Sequence, residues 1–209
     1  MKEKVQSFVN EHALVYCVIM EIAGLGGMIL AGFLIQLLLN IVAPTVDYYV
    51  VLFLQEAVGS IIMIGLIKLS GLEEVMHRRG IGFGRGLLVG MYFLVISIYT
   101  LVVSVLIYEG ARVYRPWYLI LIYVSGMMMV GVAEEFLFRG IIAEILLRHF
   151  GATRAGVWKA VVISGFLFGC AHLTNLMGGE PVGVLVQVAV ASVMGMVFAA
   201  IYFRSGCIW

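Results

Sequence analysis

Charge is what this sequence has least of: 12 % of its 209 residues are Asp, Glu, Lys or Arg, and the formal net charge is +1. Nowhere do Lys and Arg form the clustered basic face that phosphate binding requires, which excludes nucleic acid as a partner. The three cysteines, Cys17, Cys170 and Cys207, are scattered and match no metal-ligand spacing. Their number excludes a complete disulfide framework, and they read as packing residues. Asp47 is the sole aspartate, so an aspartyl dyad is impossible, and no His-Glu-x-x-His is present for a zinc protease of that type. No internal repeat suggests the inverted halves of a secondary transporter. No soluble domain or linker can be cut out.

What fills the chain instead is apolar sequence, 63 % of all residues. A helix that crosses a bilayer needs about 20 such residues. Six blocks meet or approach that length, at about 13–42, 48–69, 87–108, 117–147, 157–173 and 182–203. The first is too long for the core of a signal peptide. The sequence therefore predicts an all-α, polytopic helical membrane protein with about six transmembrane helices. It forms one membrane domain over 1–209, the first three spans within 1–116 and the rest within 117–209. Residues 1–11 read as a short polar lead and 70–86 as a solvated interfacial loop. The long fourth block is expected to tilt or to project into the interface.

Positive charge alternates across these spans. Lys2, Lys4, Lys68, Arg78, Arg79, Arg85, Arg148, Arg154, Lys159 and Arg204 fall on one side, Arg112 and Arg115 on the other. The side richer in Lys and Arg is the cytoplasmic one, so both termini are expected there. Small residues at helical spacing, Gly24, Gly27 and Ala31 in the first span and Gly165 and Gly169 in the fifth, mark close helix packing.

Against this background, Val132-Ala-Glu-Glu-Phe-Leu-Phe-Arg-Gly140 stands out, because it puts Glu134, Glu135 and Arg139 inside an apolar span. An ionised side chain at the bilayer centre costs at least about 2.5–3.5 kcal/mol, so three of them need partners or a polar cavity. On an α-helix Glu135 and Arg139 are i and i+4 and can pair, whereas Glu134 points about 100° away. One carboxylate is expected to be held by the arginine and the other to face elsewhere. His172 is the histidine placed well within an apolar block, whereas His12, His77 and His149 sit at span ends. Glu134 precedes Arg148 by 14 residues and His172 follows Trp158 by 14, so antiparallel helices would carry both about 21 Å from their shared connection. Asn175 can join from the same face as His172.

A structural reading competes. Intramembrane Glu/Arg pairs also serve packing alone, and Glu21 and Glu56 are further carboxylates in the first two spans. Ser125 and Ser164 each place a hydroxyl within a span, but Ser164 lies about 12 Å from His172 along the helix and reads as a packing serine.

The pattern Glu134-Glu135-x-x-x-Arg139 resembles the EExxxR motif of the CPBP family, the CAAX proteases and bacteriocin-processing (Abi) membrane proteins. Phe168-x-x-x-His172 resembles its FxxxH motif, in the same order and at a fitting separation. The resemblance covers roughly 117–209; the first three spans fit the family only as hydrophobic helices. The family pattern goes on to an HxxxN motif on a further helix. No such motif follows Tyr202-Phe-Arg-Ser-Gly-Cys-Ile-Trp209, so two implied site residues are missing from the sequence.

The resemblance implies an intramembrane metallo- or glutamate protease. Glu134 would be the general base that activates water, His172 would hold that water or a metal, and Glu135 with Arg139 would orient the site. A divalent metal such as zinc would find Glu134 and His172 as ligands, two where a catalytic zinc usually takes three from the protein. Implied partners are a peptide or lipidated-protein substrate and membrane lipid. Rival readings are a non-catalytic scaffold or bacteriocin-immunity protein, and a transporter coupled to protons or cations through its buried carboxylates.

Overall fold

The computed structural model describes residues 2–78, 80, 83–107 and 115–208. Arg79, Tyr108, Arg112 and Trp209, which enter the expectations above, lie outside the described residues. Helix α1 (Lys2–Glu11) gives way at His12 to the long α2 (Ala13–Val42), followed by α3 (Tyr48–Leu69), the single turn α4 (Glu74–His77) and α5 (Phe83–Ile107). Then come α6 (Trp117–Glu134), a π-helix over Glu135–Ala143, α7 (Glu144–Phe150), α8 (Arg154–Ala171), a 3-10 segment over His172–Met177, and α9 (Pro181–Ser205). Among the described residues there is no strand, and six helical stretches are long and apolar enough to cross a membrane: Ala13–Val42, Tyr48–Leu69, Gly84–Ile107, Trp117–Phe150, Arg154–Met177 and Pro181–Ser205. These are the six spans expected from the sequence. The protein is an all-helical, multi-pass integral membrane protein.

Local sequence explains where the helices begin. Asp47 accepts from the Tyr49 amide at 2.9 Å, and Thr153 accepts from the Gly156 amide at 3.1 Å. At the head of α9 the Glu180 carboxylate accepts from Val182 and Gly183 at 3.0 and 2.6 Å, with Pro181 in the first turn, where its missing N–H costs nothing. Those two amides hold the Glu180 carboxyl below the usual range. Gly206, at φ 64°, takes the left-handed position that ends α9.

Packing follows the small residues. On α8, Gly165 and Gly169 let α9 come so near that an added Cβ would strike Met196 and Ser192. Across from them Gly195 meets the Phe168 ring, where a Cβ would lie 2.9 Å from Phe168 Cβ. On α6, Gly126 lies against the Phe53 backbone of α3. Among the described residues the α8/α9 and α3/α6 pairs make the most extensive contacts. The core joins Met20, Met63, Ile67, Leu137, Ile141 and Phe168, all buried. The α5 helix has no buried residue among those described and packs chiefly on α9, with Phe93 against Phe198 at 5.3 Å. Cys17 and Cys207 are buried and Cys170 is partly buried, and among the described residues none of the three forms a disulfide. Ser164 is buried and donates to its own helix at the Val161 carbonyl, as a packing serine does.

One expectation needs correction, and two features had not been expected. The fourth span is not a uniform α-helix, since nine of its residues wind as a π-helix. The polar lead is itself a helix, α1, whose Val9 is buried. The 70–86 connection is not simply solvated: Leu72 and Val75 are buried, and Arg78 reaches Glu144 through two hydrogen bonds of 3.0 and 3.1 Å. Buried Glu144 also accepts from Arg148 at 2.9 Å and from the Tyr202 hydroxyl at 2.8 Å, tying the connection to the fourth and sixth spans. That contact with Glu144 holds Arg78 even more firmly protonated than an ordinary arginine. A carboxylate buried among three donors satisfies the groups that burial would otherwise penalise.

Candidate active site

Glu134 and Glu135 sit at the junction of α6 and the π-helix and face two different cavities. Glu134 lines a cavity of about 370 Å³ bounded by α2, α3, α6, α8 and α9, and His172 and Asn175 line the same cavity. Glu135 lines a separate groove between α5 and α9 with Phe93, Phe198 and Tyr202. The split inferred from helical spacing is therefore present, with one carboxyl on each side of the span.

Arg139 explains why Glu135 stays where it is. The arginine is 1 % exposed, its Nη1 is 3.3 Å from Glu135 Oε1, and its guanidinium lies over the rings of Phe168 at 4.8 Å and Phe198 at 5.0 Å. Two aromatic faces around a desolvated guanidinium supply part of what water no longer does. Neither Nη1 nor Nη2 has a hydrogen-bond acceptor among the described residues, so the pair is held by charge and stacking rather than by a bidentate bond.

Phe168 links the two motifs. Besides Arg139, its ring meets Phe138 edge-on at 4.9 Å and the His172 ring at 5.3 Å, and its carbonyl lies 3.0 Å from His172 Nδ1. A carbonyl only accepts, so Nδ1 is the donor. That leaves Nε2 as the nitrogen able to accept from water when the ring is neutral, or to bind a cation. Placing the histidine where α8 tightens into the 3-10 segment fixes its ring from both its own helix and the aromatic cluster.

All four residues expected at the site are thus positioned by one stretch of packing, Glu134 and His172 at the cavity, Glu135 and Arg139 behind it. Asn175 is there too, donating to Gln187 of α9 at 2.9 Å. Sequence reasoning missed Gln187, the stacking role of Phe198, and Glu56, which lines the cavity from α3. Glu56 carried a signal, an ionisable group inside an apolar span, but nothing told which way it turned.

Among the described residues no group of three or more His, Cys, Asp or Glu is placed to hold a metal, and Glu134 with His172 supplies two donors where a catalytic zinc takes three. The residues present do not fit a zinc centre.

Residues 115–209 match a family model described as type II CAAX prenyl endopeptidase Rce1-like. No curated protein matches the chain, and no solved structure does.

Proposed function

We propose that this chain, whose residues 115–209 match the Rce1-like model, is an intramembrane protease of the CPBP family and hydrolyses a peptide bond of a membrane-associated or lipidated peptide with water activated by Glu134. The observation that carries the reading is the shared cavity: the free glutamate of the first motif and the histidine of the second line one space between the helices. In the proposed step the Glu134 carboxylate takes a proton from water as the oxygen adds to the peptide carbonyl. The same proton then passes to the amide nitrogen, the C–N bond breaks, and Glu134 is ionised again. His172, with Nδ1 committed to the Phe168 carbonyl, orients that water through Nε2. Glu135 and Arg139 fix the helix that carries Glu134. No step requires a metal.

A lipidated peptide ending in a Cys-a-a-X sequence is the natural first substrate, given the family's endopeptidase type. With the full chain in lipid vesicles, cleavage after the lipidated cysteine is the expected result; a peptide left intact at every ratio of enzyme to substrate would contradict the reading.

The orientation follows the charge pattern, with both termini in the cytoplasm. Lys68, Arg78, Arg85, Arg148, Arg154 and Arg204 lie toward one side by the order of the spans, and Arg115, 3.6 Å from Asp47, toward the other. Single cysteines at 115 and 154 should react with a membrane-impermeant maleimide from opposite faces of sealed vesicles. Labelling of both from one face would refute the arrangement.

A further inference from the structure

Helix α3 carries a carboxyl that belongs to neither motif and lies outside the matched residues: Glu56. The rotation of its helix is fixed on two sides. Gln55 donates to the Gly32 carbonyl of α2 at 3.1 Å, and Ser60, one turn beyond Glu56, donates to the Met129 carbonyl of α6 at 3.1 Å. Glu56 is thereby turned into the cavity that Glu134 and His172 line. Its Oε2 is buried and has no hydrogen-bond partner among the described residues.

An oxygen so placed lowers stability whether or not it carries a proton, because no hydrogen bond replaces those it made to water. Its polar neighbours offer no relief. Asn175 donates to Gln187, Thr174 donates to the Ala171 carbonyl at 2.9 Å, and His172 Nδ1 is taken by Phe168. What remains open is Glu134 and the second nitrogen of His172. Of the charged groups on the elements around α3, Glu134 lines the same cavity as Glu56. Glu135 and Arg139 pair on the other side of the span, and Glu21 of α2 lies toward Cys17 and Cys170. A buried polar atom left unsatisfied beside a reacting group is better explained by what enters the cavity than by the fold.

We propose that Glu56 is a positioning residue for Glu134: through a water shared across the cavity, it holds the Glu134 carboxyl and the attacking water in place from the α3 side. The inference rests on the hydrolase reading of Glu134 and extends the site into the first half of the chain. Glu56→Leu keeps the volume and removes the hydrogen bonding, whereas Glu56→Gln keeps both.

With the full chain in lipid vesicles and a prenylated Cys-a-a-X peptide as probe, Glu56→Leu should lower kcat by about tenfold or more and leave KM within about twofold, as misplacing a reacting group does. Glu56→Gln should restore kcat to within about threefold of wild type, and neither variant should melt below it. A readout that needs no turnover is the rate at which a hydrophobic carbodiimide modifies Glu134, followed by mass spectrometry. It should change by about twofold or more in Glu56→Leu, the least that contacting residues show when coupled. An unchanged rate overturns the proposal, as does a kcat loss that tracks a fall in melting temperature and is not restored by Gln. If wild type leaves the peptide uncut while Glu56→Leu still alters Glu134 reactivity, the hydrolase reading falls and the coupling of the two carboxyls stands.

Discussion

Replacing Arg139 by alanine is expected to destabilise the fold by about 3 kcal/mol, the lower end of what breaking a buried ion pair costs. The lower end applies because the pair is an approach of 3.3 Å without a hydrogen bond between guanidinium and carboxylate. Most of the loss comes from packing. The guanidinium fills the space between the Phe168 and Phe198 rings, and its removal leaves a void that joins α8 and α9 to the π-helix. Arg139→Met refills that space and should recover more than half of the loss. Arg139→Lys should recover less, since a compact ammonium cannot stack as a plane between two rings. Thermal melts in detergent decide it: Arg139→Ala should fall well below Glu134→Gln, and equal or reversed losses would show that the two residues do not divide into a structural and a chemical one.

The six spans were legible because crossing a bilayer demands runs of about 20 apolar residues, and charge outside those runs marks their ends. The first two fall at Ala13–Val42 and Tyr48–Leu69, where composition put them. The Glu135–Arg139 pair was legible from a spacing of four, which survives the change from α to π winding. The winding itself was not. A π-helix has no residue signature, and here it occurs where Gly140 packs against Ile67 and Ile208, contacts made by distant parts of the chain. Glu144 was legible only in part: Arg148 stands four residues on, but its other partners Arg78 and Tyr202 lie 66 and 58 residues away. The same reason hid Glu56. Its charge was visible, but its direction depends on hydrogen bonds from α3 to two other helices.

The largest effect is expected at Glu134. Among the described residues its side chain makes no hydrogen bond and no ion pair, in contrast to Glu135 and Glu144, so the fold does not lean on it. It lies instead at the cavity with His172, within range to interact electrostatically. Glutamine matches it in size but cannot take a proton from water. A general base contributes about 10²- to 10⁴-fold to rate, so kcat for the prenylated peptide should fall by that much in Glu134→Gln with KM little changed. Arg139→Ala also loses activity in this account, but together with stability. The decisive measurement is therefore kcat of purified Glu134→Gln in vesicles alongside its melting temperature: a collapse of kcat in a protein that melts like wild type is expected, and cleavage at the wild-type rate would contradict the assignment of Glu134 as the base.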